Sequence, residues 1–217
     1  MREAILNISR YDPSKDNSPV FKEYRVPMEN RSTLLSALIY IHENIDSTLA
    51  FRYGCRFKNC GLCGLNVNGN PRLACMTRLK EEMEIVPLNN LPIVRDLVID
   101  RKPFFDSLSR FKPYVVRGTE PEKEPEVVIF PKEHTELMNC RECMICLSQC
   151  NEYDYRKMDF GGPLAFIKLA QLHYDPRDTL NRKKMAKELG IDKCKDCKKC
   201  YCPVGINIFR MAIESLI

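Results

Sequence analysis

The stretch CRFKNCGLCGLNVNGNPRLAC, residues 55–75, decides the reading of the N-terminal half. It sets Cys55, Cys60, Cys63 and Cys75 apart by four, two and eleven residues. Three thiols crowd one loop, and the fourth returns after an apolar strand-like segment and the turn Gly69-Asn70-Pro71. Thiolates in this arrangement suit a [2Fe–2S] rhomb, two sulfurs to each iron. Zinc is the competing occupant, but paired CxxC units about 12 to 20 residues apart would then be expected, and the four-residue gap does not supply them. Gly54, Gly61 and Gly64 beside the thiols are expected to let backbone amides approach a cluster and tune it.

Working outward, the 217-residue sequence holds 12 cysteines, and all fall into three groups of four. The second, CRECMICLSQC at 140–150, contains Cys140, Cys143, Cys146 and Cys150; the third, CKDCKKCYCP at 194–203, contains Cys194, Cys197, Cys200 and Cys202. Disulfides would explain so much cysteine in a small secreted chain, but this chain is not small. Its start, MREAILNISRYDP, alternates like a strand and lacks the apolar core of a secretory signal, so a reducing cytoplasm is the expected compartment. No apolar run approaches the roughly 18 residues of a membrane span.

The first run has the spacing of plant-type ferredoxins and the second that of bacterial two-cluster ferredoxins, in which the fourth cysteine of a run reaches the other cluster. The second run lacks the usual proline, with Asn151 after Cys150. The third keeps Cys202-Pro203 but has one residue between Cys200 and Cys202. Reciprocal ligation assigns Cys140, Cys143, Cys146 and Cys202 to one [4Fe–4S] cluster, and Cys150, Cys194, Cys197 and Cys200 to another. Cys197 and Cys202 are the two for which a free structural thiol competes.

The formal charge of +5 counts every cysteine as neutral. Three oxidised clusters, each at about −2, would bring the loaded chain to about −1, which removes the case for nucleic acid. The lysines from Lys183 to Lys199 then read as a solvated face beside an anionic cluster.

The coarse organisation is α+β. Segments 4–9 and 20–26 predict a hairpin, and Ser32 or Thr33 caps a helix whose apolar face is Leu34, Leu35, Leu38, Ile41 and Ile45. Short strands follow at 65–67, 72–75 and 84–86, giving a small mixed sheet with one helix. Residues 117–134, acidic and interrupted by Pro121, Pro125 and Pro131, predict a linker between a first domain, 1–116, and a second, 135–217. The second reads as mainly helical, with helices near 163–172, 180–189 and from Pro203 onward, Pro203 standing at the first helical position.

Beyond the cysteines, RYDP at 10–13, LACMTRL at 73–79, PLNNLPIVRDLVID at 87–100, FKPYVV at 111–116 and DPRDT at 175–179 resemble the iron–sulfur subunits of the succinate dehydrogenase and fumarate reductase family over nearly the whole chain. The resemblance implies an N-terminal plant-type [2Fe–2S] ferredoxin (β-grasp) domain and an α-helical domain with two further clusters. It also implies a partner flavoprotein carrying FAD, a distal acceptor subunit, and a place in the cytoplasm, peripheral to the inner face of the membrane through partner subunits. The chain itself shows no GxGxxG after a strand and no acid–base constellation, and His42, His134 and His173 stand apart, so dicarboxylate chemistry is expected on the partner.

Two departures bear on the acceptor. Quinone-linked relatives hold a [3Fe–4S] cluster on three cysteines, whereas Cys197 fills the fourth position here and favours [4Fe–4S] over [3Fe–4S]. Their proline and tryptophan after the second run, and histidine in the third, are replaced by Asn151, by no tryptophan at all, and by Lys195, with Tyr153 and Tyr155 nearby as packing residues. A variant similar to the thiol-dependent fumarate reductases of methanogens, with a thiol or heterodisulfide module as acceptor in place of a membrane anchor, accommodates both. The alternatives are a free-standing multi-cluster ferredoxin-like carrier and a zinc-stabilised interaction module.

Overall fold

Strand β1 (Arg2–Arg10) turns Ala4, Leu6 and Ile8 to one face, where all three are buried, and pairs antiparallel with β2 (Val20–Met28) along its whole length. The computed structural model describes residues 2–118, 127–157 and 159–217; the middle of the expected linker, 119–126, lies outside the described residues. Helix α1 (Leu34–Asn44) starts at Thr33, whose hydroxyl accepts from the Ser36 amide (3.2 Å) while the Ser36 hydroxyl accepts from the Thr33 amide (2.9 Å). This is a capping box with serine in place of the usual Glu or Gln. Leu34, Leu35, Leu38 and Ile41 are buried as expected, but Ile45 is the C-cap and lies 49% exposed.

Strands β3 (Gly64–Val67), β4 (Asn70–Leu73) and β5 (Glu82–Val86) complete a sheet of order β2-β1-β5-β3-β4, with β1 and β5 parallel and the other pairs antiparallel. The β3–β4 turn is Asn68-Gly69, with φ of 49° and 76°, the left-handed pair that a two-residue hairpin demands. The sequence reading placed it one residue later. Pro71 instead pairs with Asn66 inside β4, where its missing N–H is tolerated because β4 is an edge strand. The strand expected to reach Cys75 ends at Leu73, and Cys75 sits in the 3-10 turn Ala74–Met76. A small ribbon of β6 (Ile93–Arg95) and β7 (Val98–Ile99) follows.

Helices α2 (Lys102–Leu108) and α3 (Lys132–Leu137) precede α4 (Ile145–Ser148). The described residues form two compact units: the chain up to Arg101 with Arg141–Ser148, and Lys102–Cys140 with Gln149–Ile217. This differs from the sequence-based division at 116 and 135. Residues 141–148 join the first unit because Met144, Ile145 and Leu147 are buried, the Asn89 amide donates to Ser148 Oγ (2.9 Å), and Asn90 Nδ2 donates to the Ser148 carbonyl (3.2 Å).

In the second unit α5 (Gly162–His173) is buried along most of its length, and α6 (Arg182–Glu188) begins at Asn181, whose side chain accepts from the Lys184 amide. The last helix does not begin at Pro203. Cys202 to Gly205 form a turn (Gly205 N to Cys202 O, 3.1 Å) with Pro203 second, a position its fixed φ suits. Asn207 Oδ1 then accepts from the Arg210 amide, opening a π-helical turn Phe209–Ile213 that continues as α7 (Glu214–Leu216). Segment 111–116 belongs here because Arg182, with a fully buried side chain, donates to the carbonyls of Phe111 (2.8 Å), Lys112 (2.9 Å) and Tyr114 (2.8 Å) while paired with Asp178. Asp178 also accepts from the Val116 amide (2.9 Å).

Candidate iron–sulfur sites

Loop 55–60 aims backbone amides at its own sulfurs. The Asn59 and Cys60 amides each lie 3.2 Å from Cys55 Sγ, and the Phe57 amide 3.4 Å; the Cys55 amide faces Cys60 Sγ at 3.4 Å and the Lys58 amide faces Cys75 Sγ at 3.3 Å. Left-handed φ at Arg56 (65°) and Lys58 (62°) turns successive N–H groups inward. Burial opposes ionisation of Cys55, but the three amides outweigh it and bring the thiol down to about 7. Cys63 lies deeper, and burial pushes its thiol up to about 12.

Two further features hold this loop. Cys75 is fixed by the Ala74 amide donating to the Cys63 carbonyl (2.9 Å) and by the Thr77 carbonyl, which accepts from the Leu34 amide at the start of α1 (2.8 Å). The approach to the loop is pinned by Arg10. Its Nε donates to Asp96 (3.0 Å) and its Nη1 to Asp46 (2.8 Å), while Asp96 also accepts from the Ala50 amide (2.8 Å). Sequence reading singled out RYDP without this role; a charged residue at the end of a strand otherwise buried on one face was the available signal.

Gly61 and Gly64 do something different from what their place among the cysteines suggested. A Cβ at Gly61, whose φ is 70°, would overlap the carbonyl oxygen of Arg141, and one at Gly64 would stand 3.1 Å from the carbonyl of Cys143. They admit the backbone of the second cysteine run. Of the three, Gly54 faces a cysteine sulfur, Cys60 Sγ, at 3.4 Å from its would-be Cβ.

Of the remaining cysteines, Cys143 and Cys146 belong to the first unit, and Cys140 and Cys202 to the second. Cys150, Cys194, Cys197 and Cys200 lie together in the second unit. Burial raises the Cys194 and Cys200 thiols to about 12; Cys200, Cys150 and Cys197 add to it at Cys194, and Cys150 and Cys197 at Cys200. Burial also raises Cys150, with Cys197 adding to it. Among the described residues, no group of three or more His, Cys, Asp or Glu side chains is arranged to hold a single metal ion; a cluster instead spreads its thiolates around an inorganic core. The inward amides at Cys55 and Cys75 and the all-thiol sets fit such clusters, since N–H donors stabilise sulfur that carries negative charge.

His42 Nδ1 meets the Leu49 carbonyl (3.2 Å), His134 stacks on Phe130, and burial lowers the pKa of His173. Tyr153 is buried, its amide donating to the Cys150 carbonyl (3.3 Å). No helix among the described residues is long and apolar enough to cross a membrane.

A ferredoxin-like sheet followed by a helical unit, both rich in grouped cysteines, defines an iron–sulfur electron-transfer protein. Residues 5–106 match the 2Fe-2S iron-sulfur cluster binding domain family. The chain is 34% identical to the fumarate reductase iron-sulfur subunit of Mycobacterium tuberculosis, over 95% of this chain and 89% of that one. In structure it is similar to a chain of the Mycobacterium smegmatis Sdh1 complex in the apo form, with a TM-score of 0.87, 28% identity, and coverage of 99% of this chain and 94% of that one. The chain belongs to the family of succinate dehydrogenase and fumarate reductase iron–sulfur subunits. Methanogen relatives are longer: the chain spans 42% of an uncharacterized iron-sulfur protein of Methanocaldococcus jannaschii, at 37% identity over 97% of this chain. It spans 43% of a fumarate reductase (CoM/CoB) subunit of Methanothermobacter marburgensis, at 29% identity over 97% of this chain.

Proposed function

We propose that the chain relays electrons between a flavoprotein partner carrying FAD, which interconverts succinate and fumarate, and a distal acceptor of the thiol or heterodisulfide class. Cys55, Cys60, Cys63 and Cys75 would hold a [2Fe–2S] cluster; Cys140, Cys143, Cys146 and Cys202 a [4Fe–4S] cluster; and Cys150, Cys194, Cys197 and Cys200 a second [4Fe–4S] cluster. When bound, these groups supply one-electron carriers. The protein's share is to place their thiolates, donate amides to Cys55 and Cys75, and bury Cys63, Cys194 and Cys200 away from water.

The observation that supports this acceptor is Cys197, whose charge bears on Cys150, Cys194 and Cys200 alike. A fourth thiol within that set favours a four-iron over a three-iron cluster, and a four-iron cluster is expected at lower potential, poorly matched to a high-potential quinone. The similarity to the CoM/CoB-type fumarate reductase of a methanogen points the same way. A cytoplasmic site of action, peripheral to the membrane only through partners, follows from the same reading.

Anaerobic purification with iron and sulfide analysis, and paramagnetic resonance at graded potentials, tests it. About ten irons per chain, with no three-iron signal in the oxidised protein, are expected. A three-iron signal with oxygen excluded throughout would overturn the four-iron assignment and its acceptor; zinc without iron would overturn the whole reading.

A further inference from the structure

Arg101 directly follows the segment PLNNLPIVRDLVID and is half-buried at the end of the first stretch of the first unit. Its Nη2 donates to the carbonyl of Glu142 at 2.6 Å, so the guanidinium is tied to the backbone between Arg141 and Cys143. It lines a small cavity together with Arg52, Gly61, Leu62, Gly64 and Cys143. That cavity lies where the two cysteine loops meet, beside the place at which Gly61 leaves no room for a side chain against the Arg141 carbonyl. Burial lowers the pKa of Arg101, and Glu142, Cys143 and Cys60 oppose that shift while Arg52 adds to it. An arginine stays charged under any condition in which this protein would work. One fixed positive charge therefore bears on a thiol of the first run and on a thiol of the second at once.

We propose that Arg101 is a positioning residue that sets the reduction potentials of the two centres on either side of it, the one that includes Cys60 and the one that includes Cys143. Reduction adds one negative charge to a centre that is already anionic. A cation held close by, in a site partly shielded from water, stabilises that added charge at both ends of the transfer. The hydrogen bond to Glu142 keeps the charge in place, and it also ties the second cysteine run to the segment that follows the sheet. The backbone contact at Gly61 and the charge of Arg101 thus act on one junction, the first through distance and the second through energy. Arg52 stands on the same cavity and more exposed to water, where its charge is better screened.

This inference rests on the cluster assignments proposed above. The test uses the full chain purified anaerobically with its clusters, comparing wild type, Arg101→Gln and Arg101→Lys by redox titration followed with paramagnetic resonance. Iron content of the wild type is measured first, so that a failure of the cluster reading shows before any variant is titrated. Glutamine removes the charge and, being shorter, gives up the contact with the Glu142 carbonyl as well, so the charged Arg101→Lys variant, also shorter than arginine, is what separates electrostatics from positioning. Arg101→Gln is expected to lower the midpoint potentials of both centres, each by about a tenfold change in the one-electron equilibrium, or about 59 mV. Arg101→Lys is expected to keep both potentials close to those of the wild type. Unchanged potentials in Arg101→Gln with wild-type iron content would overturn the proposal, and so would an Arg101→Lys protein that shifts as far as Arg101→Gln.

Discussion

Twelve thiols of one chemical type occupy unlike surroundings. Cys55 has three amides directed at its sulfur and a thiol pKa brought down to about 7, whereas burial holds Cys63, Cys194 and Cys200 at about 12. At pH 7 about half of Cys55 is thiolate, against about one part in 10⁵ of the others. The greater intrinsic nucleophilicity of the more basic thiolates recovers part of that gap, so cluster-free protein is expected to alkylate at Cys55 roughly a hundredfold faster. Peptide mass spectrometry after timed iodoacetamide treatment checks it; equal rates would show that the amides do not act on the sulfur. Arg182 is the other residue whose surroundings carry a prediction. Its removal would leave Asp178 charged, only 1% exposed and without its cation. Arg182→Leu is expected to cost about 3–5 kcal/mol and to lower the midpoint of thermal unfolding by roughly 10 °C.

At the scale of elements, the cluster loop depends on what stands before and behind it. Arg10 fastens residues 46–50 through Asp46 and Asp96, with Thr48 Oγ1 a further acceptor at 2.9 Å. Arg10→Ala is expected to destabilise the chain by about 2 kcal/mol, since the buried Asp96 loses a charged donor while Asp46 keeps Lys22. It should also speed loss of the visible absorbance of the first cluster, which stopped-flow mixing with a chelator would read. Behind the loop, Gly61→Ala forces a methyl into the Arg141 carbonyl at a left-handed backbone position. Its expected effect is a weakened first cluster and slower electron exchange between the first two centres; a variant with wild-type cluster retention and exchange would show that the two loops need no such contact. Much of this level was legible beforehand. The β1–β2 hairpin, α1 with its Thr33 cap, α5 and α6 all follow from periodicity and capping, which act over a few residues. The turn at Asn68-Gly69 and the start of the last helix were misplaced because Pro71 read as a turn residue and Pro203 as the first residue of a helix. Pro71 is accommodated by its edge position and Pro203 by the turn ahead of Asn207.

Over the whole molecule, the placement of 141–148 has the widest consequence. A fragment ending at residue 116, complete by its sequence pattern, would lack α4 and the groups that meet Asn89, Asn90, Gly64 and Arg101. Such a fragment is expected to bind hydrophobic dye and to lose its near-ultraviolet circular dichroism, whereas the full chain does neither; a well-packed fragment would show that 141–148 is dispensable. Cluster loading should also follow pH. Thiols held at about 12 carry protons at neutral pH that iron must displace, so occupancy is expected to rise with pH and fall as acid is added. Iron per chain after equilibration at graded pH measures it.

The family-like phrases outside the cysteine runs prove to be clamps: RYDP through Arg10, PLNNLPIVRDLVID through Asn89 and Asp96 with Arg101 directly after it, and FKPYVV with DPRDT through Asp178 and the nearby Arg182. Cysteine spacing, strand alternation and helix capping are local, and they sufficed for the α+β class, while the family came from the resemblance of phrases such as RYDP and DPRDT. Which segment joins which unit, why Gly61 must be glycine and Gly64 is closely approached, and which arginines are buried against which carbonyls depend on contacts across 40 to 80 residues of chain. Such contacts leave no periodic trace, because burial is settled by packing between distant segments and not by neighbours in the chain.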